Sequence, residues 1–136
     1  MTTVRPELKR MHSPDIFDLD HAKISESEPF CVLIQAMFGS VGADGEESFD
    51  VLVCNPLWVE EEARRGAFSG RHHLIVARFD INEIRAFLQN AAVESAGEPW
   101  DEVARKLARV GKWEFEDYVE YQTKIDHIKS VLRRYF

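Results

Sequence analysis

Nine carboxylates, Glu26, Glu28, Asp44, Glu46, Glu47, Asp50, Glu60, Glu61 and Glu62, fall within residues 24–63, forty residues that hold no lysine or arginine. Carboxylates in this number have two chemical uses. A pair whose environments separate their proton affinities does acid–base work. A concentration of them makes a directional field, which steers and orients a cationic partner. The whole chain has a net charge of -7, and outside this stretch 15 acids face 17 bases, so the negative charge is local. Nothing in the spacing singles out one carboxylate as acid and another as base. The pattern favours binding over catalysis.

Other chemistry is poorly provided for. The five histidines are His12, His21, His72, His73 and His127. His72 and His73 are neighbours on a strand, so they point to opposite faces and do not chelate one ion together. There is no H-E-x-x-H, Cys-x-x-Cys or Gly-x-Ser-x-Gly pattern. Gly39, Gly42 and Gly45 lie in an acidic loop that repels phosphate. The reading is therefore no metal, no cofactor, no catalytic residue and no enzyme. Clustered Lys and Arg are missing, which argues against nucleic acid and anionic membranes as partners.

Each acidic group has a plain reading beside the functional one. Glu60 and Glu61 stand four residues before Arg64 and Arg65, a spacing for helical ion pairs on a solvated face. Asp101 and Glu102 stand the same way before Arg105 and Lys106. Asp44, Glu46 and Glu47 have no base near them in sequence. They form either a solubilising tip or a recognition loop offered to a basic cleft. The candidate partner-binding set is Asp44, Glu46, Glu47 and Asp50, then Glu60, Glu61 and Glu62.

The elements that must position these groups follow from periodicity and punctuation. Strands are expected over residues 4–12, 30–38, 48–54 and 72–79. Residues 30–38 are apolar on both faces, which predicts a central strand covered on both sides. They pair with 48–54 in a hairpin whose tip carries Asp44, Glu46 and Glu47. If these strands pair, Cys31 and Cys54 could lie near one another; a disulfide is then possible, though a cytosolic chain with a real core does not need one. Pro56 opens a short helix that ends at Gly66. Asp80, with Glu83, caps a second helix that ends before Gly97. A third runs from Pro99 to Gly111. A last one, over residues 115–134, has Tyr118, Tyr121, Ile125, Ile128 and Leu132 as its buried stripe. Trp100 reads as core, and Trp113 or Phe115 is expected to pin the last helix to the sheet.

Strands come first and helices later, which implies an α+β fold. The expected architecture is an antiparallel sheet of about four strands with three main helices packed on one face, plus a short helix after the central hairpin. At 136 residues the chain is the size of one domain. No apolar signal core opens it, and its longest apolar run, residues 30–38, is too short to span a bilayer. A cytoplasmic location is the expectation.

Three segments together resemble the immunity protein 8 family of bacterial polymorphic-toxin systems. The first is Leu8-Lys9-Arg10-Met11-His12-Ser13-Pro14-Asp15. The second is the hairpin, residues 30–39 with Gly45-Glu46-Glu47-Ser48-Phe49-Asp50-Val51, continuing to Cys54-Asn55-Pro56-Leu57-Trp58. The third is Gly70-Arg71-His72-His73-Leu74-Ile75-Val76 with Gly111-Lys112-Trp113-Glu114-Phe115-Glu116-Asp117-Tyr118. The resemblance covers most of residues 7–120 and implies one immunity-type domain over 1–136, with 122–136 a C-terminal helical extension. It implies a small non-catalytic cytoplasmic protein that binds and blocks a cognate toxin domain. It also implies that motif residues such as Trp113, Glu114 and Phe115 are structural. The alternative is a homodimeric adaptor or scaffold that uses the C-terminal helix. A small hydrolase with a carboxylate pair is a third reading, and both monomer and homodimer are open.

Overall fold

A computed structural model describes residues 3–116, 128–129 and 131–133. Its two longest strands are β2 (Cys31–Ser40) and β3 (Glu47–Cys54), paired antiparallel from Cys31 opposite Cys54 to Phe38 opposite Glu47. Side chains alternate along a strand, so even positions of β2 share a face with odd positions of β3. On that face Val32, Ile34, Ala36, Phe38, Phe49, Val51 and Val53 are all buried. Phe38 and Phe49 meet edge to face, with ring centroids 5.4 Å apart. Two helices cover them. α2 (Ile81–Glu94) contributes Ile81, Ile84, Leu88 and Ala92; α3 (Trp100–Leu107) contributes Val103, Ala104 and Leu107.

β1 (Pro6–His12) flanks β2 antiparallel, and its register shifts between Leu8 and Arg10. Its edge is not left open: Gln89 of α2 accepts the Leu8 amide at 2.9 Å, which blunts a template for unwanted strand pairing. The other edge of β3 is shared end to end. β4 (His73–Ile75) pairs parallel with Leu52–Cys54, and β5 (Lys112–Trp113) pairs antiparallel with Phe49 and Asp50. The parallel pairing is possible because α1 (Pro56–Arg65) carries the chain back between β3 and β4. The strand order is β1-β2-β3-β4, with β5 beside β3. The fold is α+β with an open sheet, as expected.

Four details differ from the sequence reading. β4 is three residues, not eight. His72 has φ 65, so the chain turns there rather than extending. β5 was not foreseen, since two residues show no period; Gly111 admits it, because a Cβ there would stand 2.9 Å from the Val51 side chain. Residues 114–116 form a turn, with the Glu116 amide donating to the Trp113 carbonyl at 2.9 Å, so no helix begins at Phe115. Tyr118, Tyr121 and Ile125 lie outside the described residues. Ile128 and Leu132, expected in a buried stripe, are 54 % and 49 % exposed; α2 and α3 already close the core. Lastly, β2 is central but is buried on one face only.

One buried polar side chain joins three parts of this frame. Asn55 caps α1 and is only 1 % exposed. Its Oδ1 accepts the amides of Trp58 and Phe30, each at 3.1 Å, and its Nδ2 donates to the Glu28 carbonyl at 2.8 Å. Without it, the entry to β2, the exit of β3 and the first turn of α1 lose their common partner. Asn55→Ala is expected to lower unfolding free energy by about 3 kcal/mol, the cost of a lost cap plus orphaned buried groups. Urea denaturation measures it, and a loss below about 1 kcal/mol would contradict this role.

Candidate functional site

The acidic stretch is continuous in sequence but divided in space. β3 carries the chain away from the hairpin tip, and at about 3.3 Å per residue its seven steps from Glu47 to Cys54 span roughly 23 Å. Asp44, Glu46 and Glu47 therefore sit at one end of the sheet. Glu60, Glu61 and Glu62, on α1, sit at the other. Asp50 lies between them on β3.

The tip acids are not equivalent. Glu47 lies on the core-facing side, and its Oε2 accepts the indole N–H of Trp100 at 2.7 Å and of Trp113 at 2.8 Å. This one carboxylate ties the hairpin to α3 and β5. Glu46 lies on the opposite side, where Arg10 of β1 reaches it at 2.5 Å. Lys9 donates to the Ala43 carbonyl and pairs with Glu7 at 3.5 Å. Asp44 is exposed. An open cavity of about 280 Å³ lies between tip and α3, lined by Gly39, Ser40, Ala43, Gly45, Glu46, Glu47 and Trp100. On α1, Glu60 pairs with Arg64 at 2.6 Å and Glu62 with Arg65 at 3.2 Å. Among the described residues Asp44, Asp50 and Glu61 have no ion-pair partner within 4.0 Å.

Residues that carry the family resemblance mostly stitch the fold. Trp113 stacks on Phe49, ring centroids 6.3 Å apart and planes 9° off parallel. Glu114 accepts the Ser48 amide at 2.8 Å through its side chain, while its own amide donates to the Ser48 carbonyl at 3.0 Å. Phe115 packs edge-on against Trp113. Arg71 pairs with Glu116 at 2.5 Å, and the His72 ring meets the Ala108 carbonyl at 2.7 Å. Asp15 accepts the Leu33 amide at 3.1 Å, at the point where β1 no longer covers β2.

The second face of the sheet was missed by sequence reasoning as a candidate surface. It presents Cys31, Leu33, Gln35 and Met37 from β2, all half-buried, opposite Cys54, Leu52, Asp50 and Ser48 of β3. Ile75 of β4, opposite Cys54, is 54 % exposed. Among the described residues, an aromatic roof stands at one end of this face. There Trp58 of α1 stacks on His73 at 5.7 Å, and Phe68 closes against both rings. The signal was present as apolar residues at odd positions of β2; it was read as a sign of burial.

Cys31 and Cys54 face each other directly across the ladder as free thiols. Burial, then Cys54, Asp15 and Glu62, push the Cys31 thiol up to about 11; burial also raises Cys54. Asp15, which accepts the Leu33 amide, lies at this end of the open face. Among the described residues no group of three or more His, Cys, Asp or Glu could hold a metal ion, and no helix is long and apolar enough to cross a membrane.

Two outcomes follow. Glu47→Ala leaves two indole N–H groups without an acceptor and is expected to lower stability by about 2 kcal/mol in urea, with Glu47→Gln losing less; an unchanged midpoint for the alanine variant would remove the clasp. Cys31 is expected to alkylate on the order of 100-fold more slowly than a free cysteine at pH 8, because little thiolate forms. A rate equal to that of free cysteine is the contrary result. Raised thiol pKa values also mean that the unfolded chain ionises first, so this contribution to stability declines as pH rises from about 9 to about 11.

Comparison with known proteins gives one match: the family model described as immunity protein 8 aligns with residues 6–118 of the chain. No curated protein matches, and no solved structure matches.

Proposed function

The chain belongs to the immunity protein 8 family, and from that premise we propose that it binds a cognate bacterial toxin domain and neutralises it by occupying its working surface. The family match over most of the described fold is the observation that carries this reading. Local charge supports it. Toxins that act on nucleic acid have basic clefts, and a protein with its acids gathered in one stretch is drawn to such a cleft. In this reading no bond is made or broken; the toxin is inactive while covered.

The contacts proposed are the carboxylates that point outward: Asp44 at the tip, Asp50 on β3, and Glu60, Glu61 and Glu62 on α1. Glu46 shares its charge with Arg10 and contributes through its free oxygen. Glu47 contributes by holding the tip in place. Asp44 and Glu61, free of ion pairs, gain most from a cation and lose least in reaching it, since they have no existing partner to give up.

Coexpression of the chain with the toxin domain encoded beside it is expected to restore growth. Association measured by stopped flow is expected to slow as salt rises, because screening shortens the field to about 8 Å at physiological ionic strength. Asp44→Lys combined with Glu61→Lys is expected to slow association about tenfold at low salt. Unchanged rates in salt and in the variant would exclude steering by these acids, and a toxin unaffected by coexpression would exclude the function.

A further inference from the structure

We propose that the open face of the sheet, centred on Leu33, Met37 and Leu52, is the surface on which the cationic toxin domain docks. This deepens the reading above and rests on it. The acids at the hairpin tip and those on α1 are separated by the length of β3, and the surface that runs between them is this face. A rigid basic partner that engages both anionic ends must lie across it.

The face has the make-up of an interface core with a charged rim. Leu33, Met37 and Leu52 form its half-buried centre, and Ile75 extends it, 54 % exposed. Leu52 lies beside His73, at the margin of the Trp58–Phe68 roof, and Met37 lies beyond it toward the tip. Glu46 stands toward the tip and Asp15 and Glu62 toward α1, while Asp50 with Gln35 crosses the strip between the Leu33–Leu52 pair and Met37. Asp15 is held beside the strip by the Leu33 amide at 3.1 Å, and Glu62 stands one helical turn after Trp58, whose ring covers His73 at that end. Arg10, paired with Glu46, and Lys112, opposite Asp50 in the ladder, are the bases at the tip end. Arg65 offsets Glu62 at the other end. Three of these four acids have a base beside them, so the surplus charge lies at the two ends, in the exposed Asp44 and Glu61, and the face matches a partner that is basic at both ends and apolar between them. The other side of the sheet is not available, because α2 and α3 fill it.

The test uses the full chain and the toxin domain encoded beside it. Met37→Lys and Leu52→Lys are each expected to weaken binding at least 30-fold, as a charge placed at an interface centre does, while Phe87→Ser on the outer surface of α2 stays within twofold. Circular dichroism and urea denaturation establish that each variant is folded. Oxidation of Met37 by hydroxyl radicals in the unaltered protein keeps the question open to test should a lysine variant fail to fold. Protection of Met37 that appears only on adding the toxin domain supports the proposal. Binding with Met37 oxidised as fast as in the free protein overturns it and leaves the immunity reading standing. Protection that appears with protein concentration alone assigns the face to a second copy. Protection at every dilution of the free protein assigns it to the chain's own C-terminal residues. Either of these two results overturns it too. Failure of the unaltered protein to bind the toxin domain overturns the function itself and the docking surface with it.

Discussion

The register of the central hairpin is the constraint on which the remaining features depend. Pairing Phe38 with Glu47 and Cys31 with Cys54 sends Ile34, Phe38, Phe49 and Val51 to one face and Leu33, Met37, Asp50 and Leu52 to the other. A shift by one residue would exchange the two sets and bury an aspartate. The same register fixes the length of the ladder, and through it the distance between the acids before β3 and the acids after it. Charge that is contiguous along the chain becomes two anionic ends with a half-apolar surface between them. The fold and the surface proposed for binding are thus two consequences of one pairing.

Polar side chains hold that register at both ends. At the far end Asn55 satisfies the amides of Phe30 and Trp58 and the Glu28 carbonyl. At the tip Glu47 collects two indole N–H groups from α3 and β5. Half-buried hydrogen bonds of this kind add little each when made but are costly to leave unmade. They therefore act more on which arrangement forms than on how much apolar area is buried. The residues of the Trp113-Glu114-Phe115 triplet belong to this stitching.

Much of this was legible in the sequence, and the omissions have physical causes. Period-two alternation placed β2 and β3 within about two residues, and Pro56, Asp80 and Gly66 bounded their helices through local backbone chemistry. The hairpin left the adjacency of Cys31 and Cys54 open, because it depends on a register that the sequence does not state. What sequence did not carry was pairing over long separations. Glu47 stands 53 and 66 residues from the two tryptophans it joins, and no local pattern encodes that. β5 is too short to show a period. An apolar second face on β2 reads the same whether a helix covers it or a partner does, and only the placement of α2 and α3 on one side separates the two cases. The acids were legible as a group, but their division between two ends of the sheet was not.

The central claim is that this chain acts by stoichiometric occupation of a toxin surface and not by turnover. Titration of a fixed amount of the toxin domain, with residual toxin activity followed to its end point and the complex sized by light scattering, tests this most directly. The account predicts loss of activity that is linear in added protein and complete at one equivalent, with a complex of one chain per toxin domain. Protection completed by a small fraction of an equivalent would mean catalysis, and would contradict it.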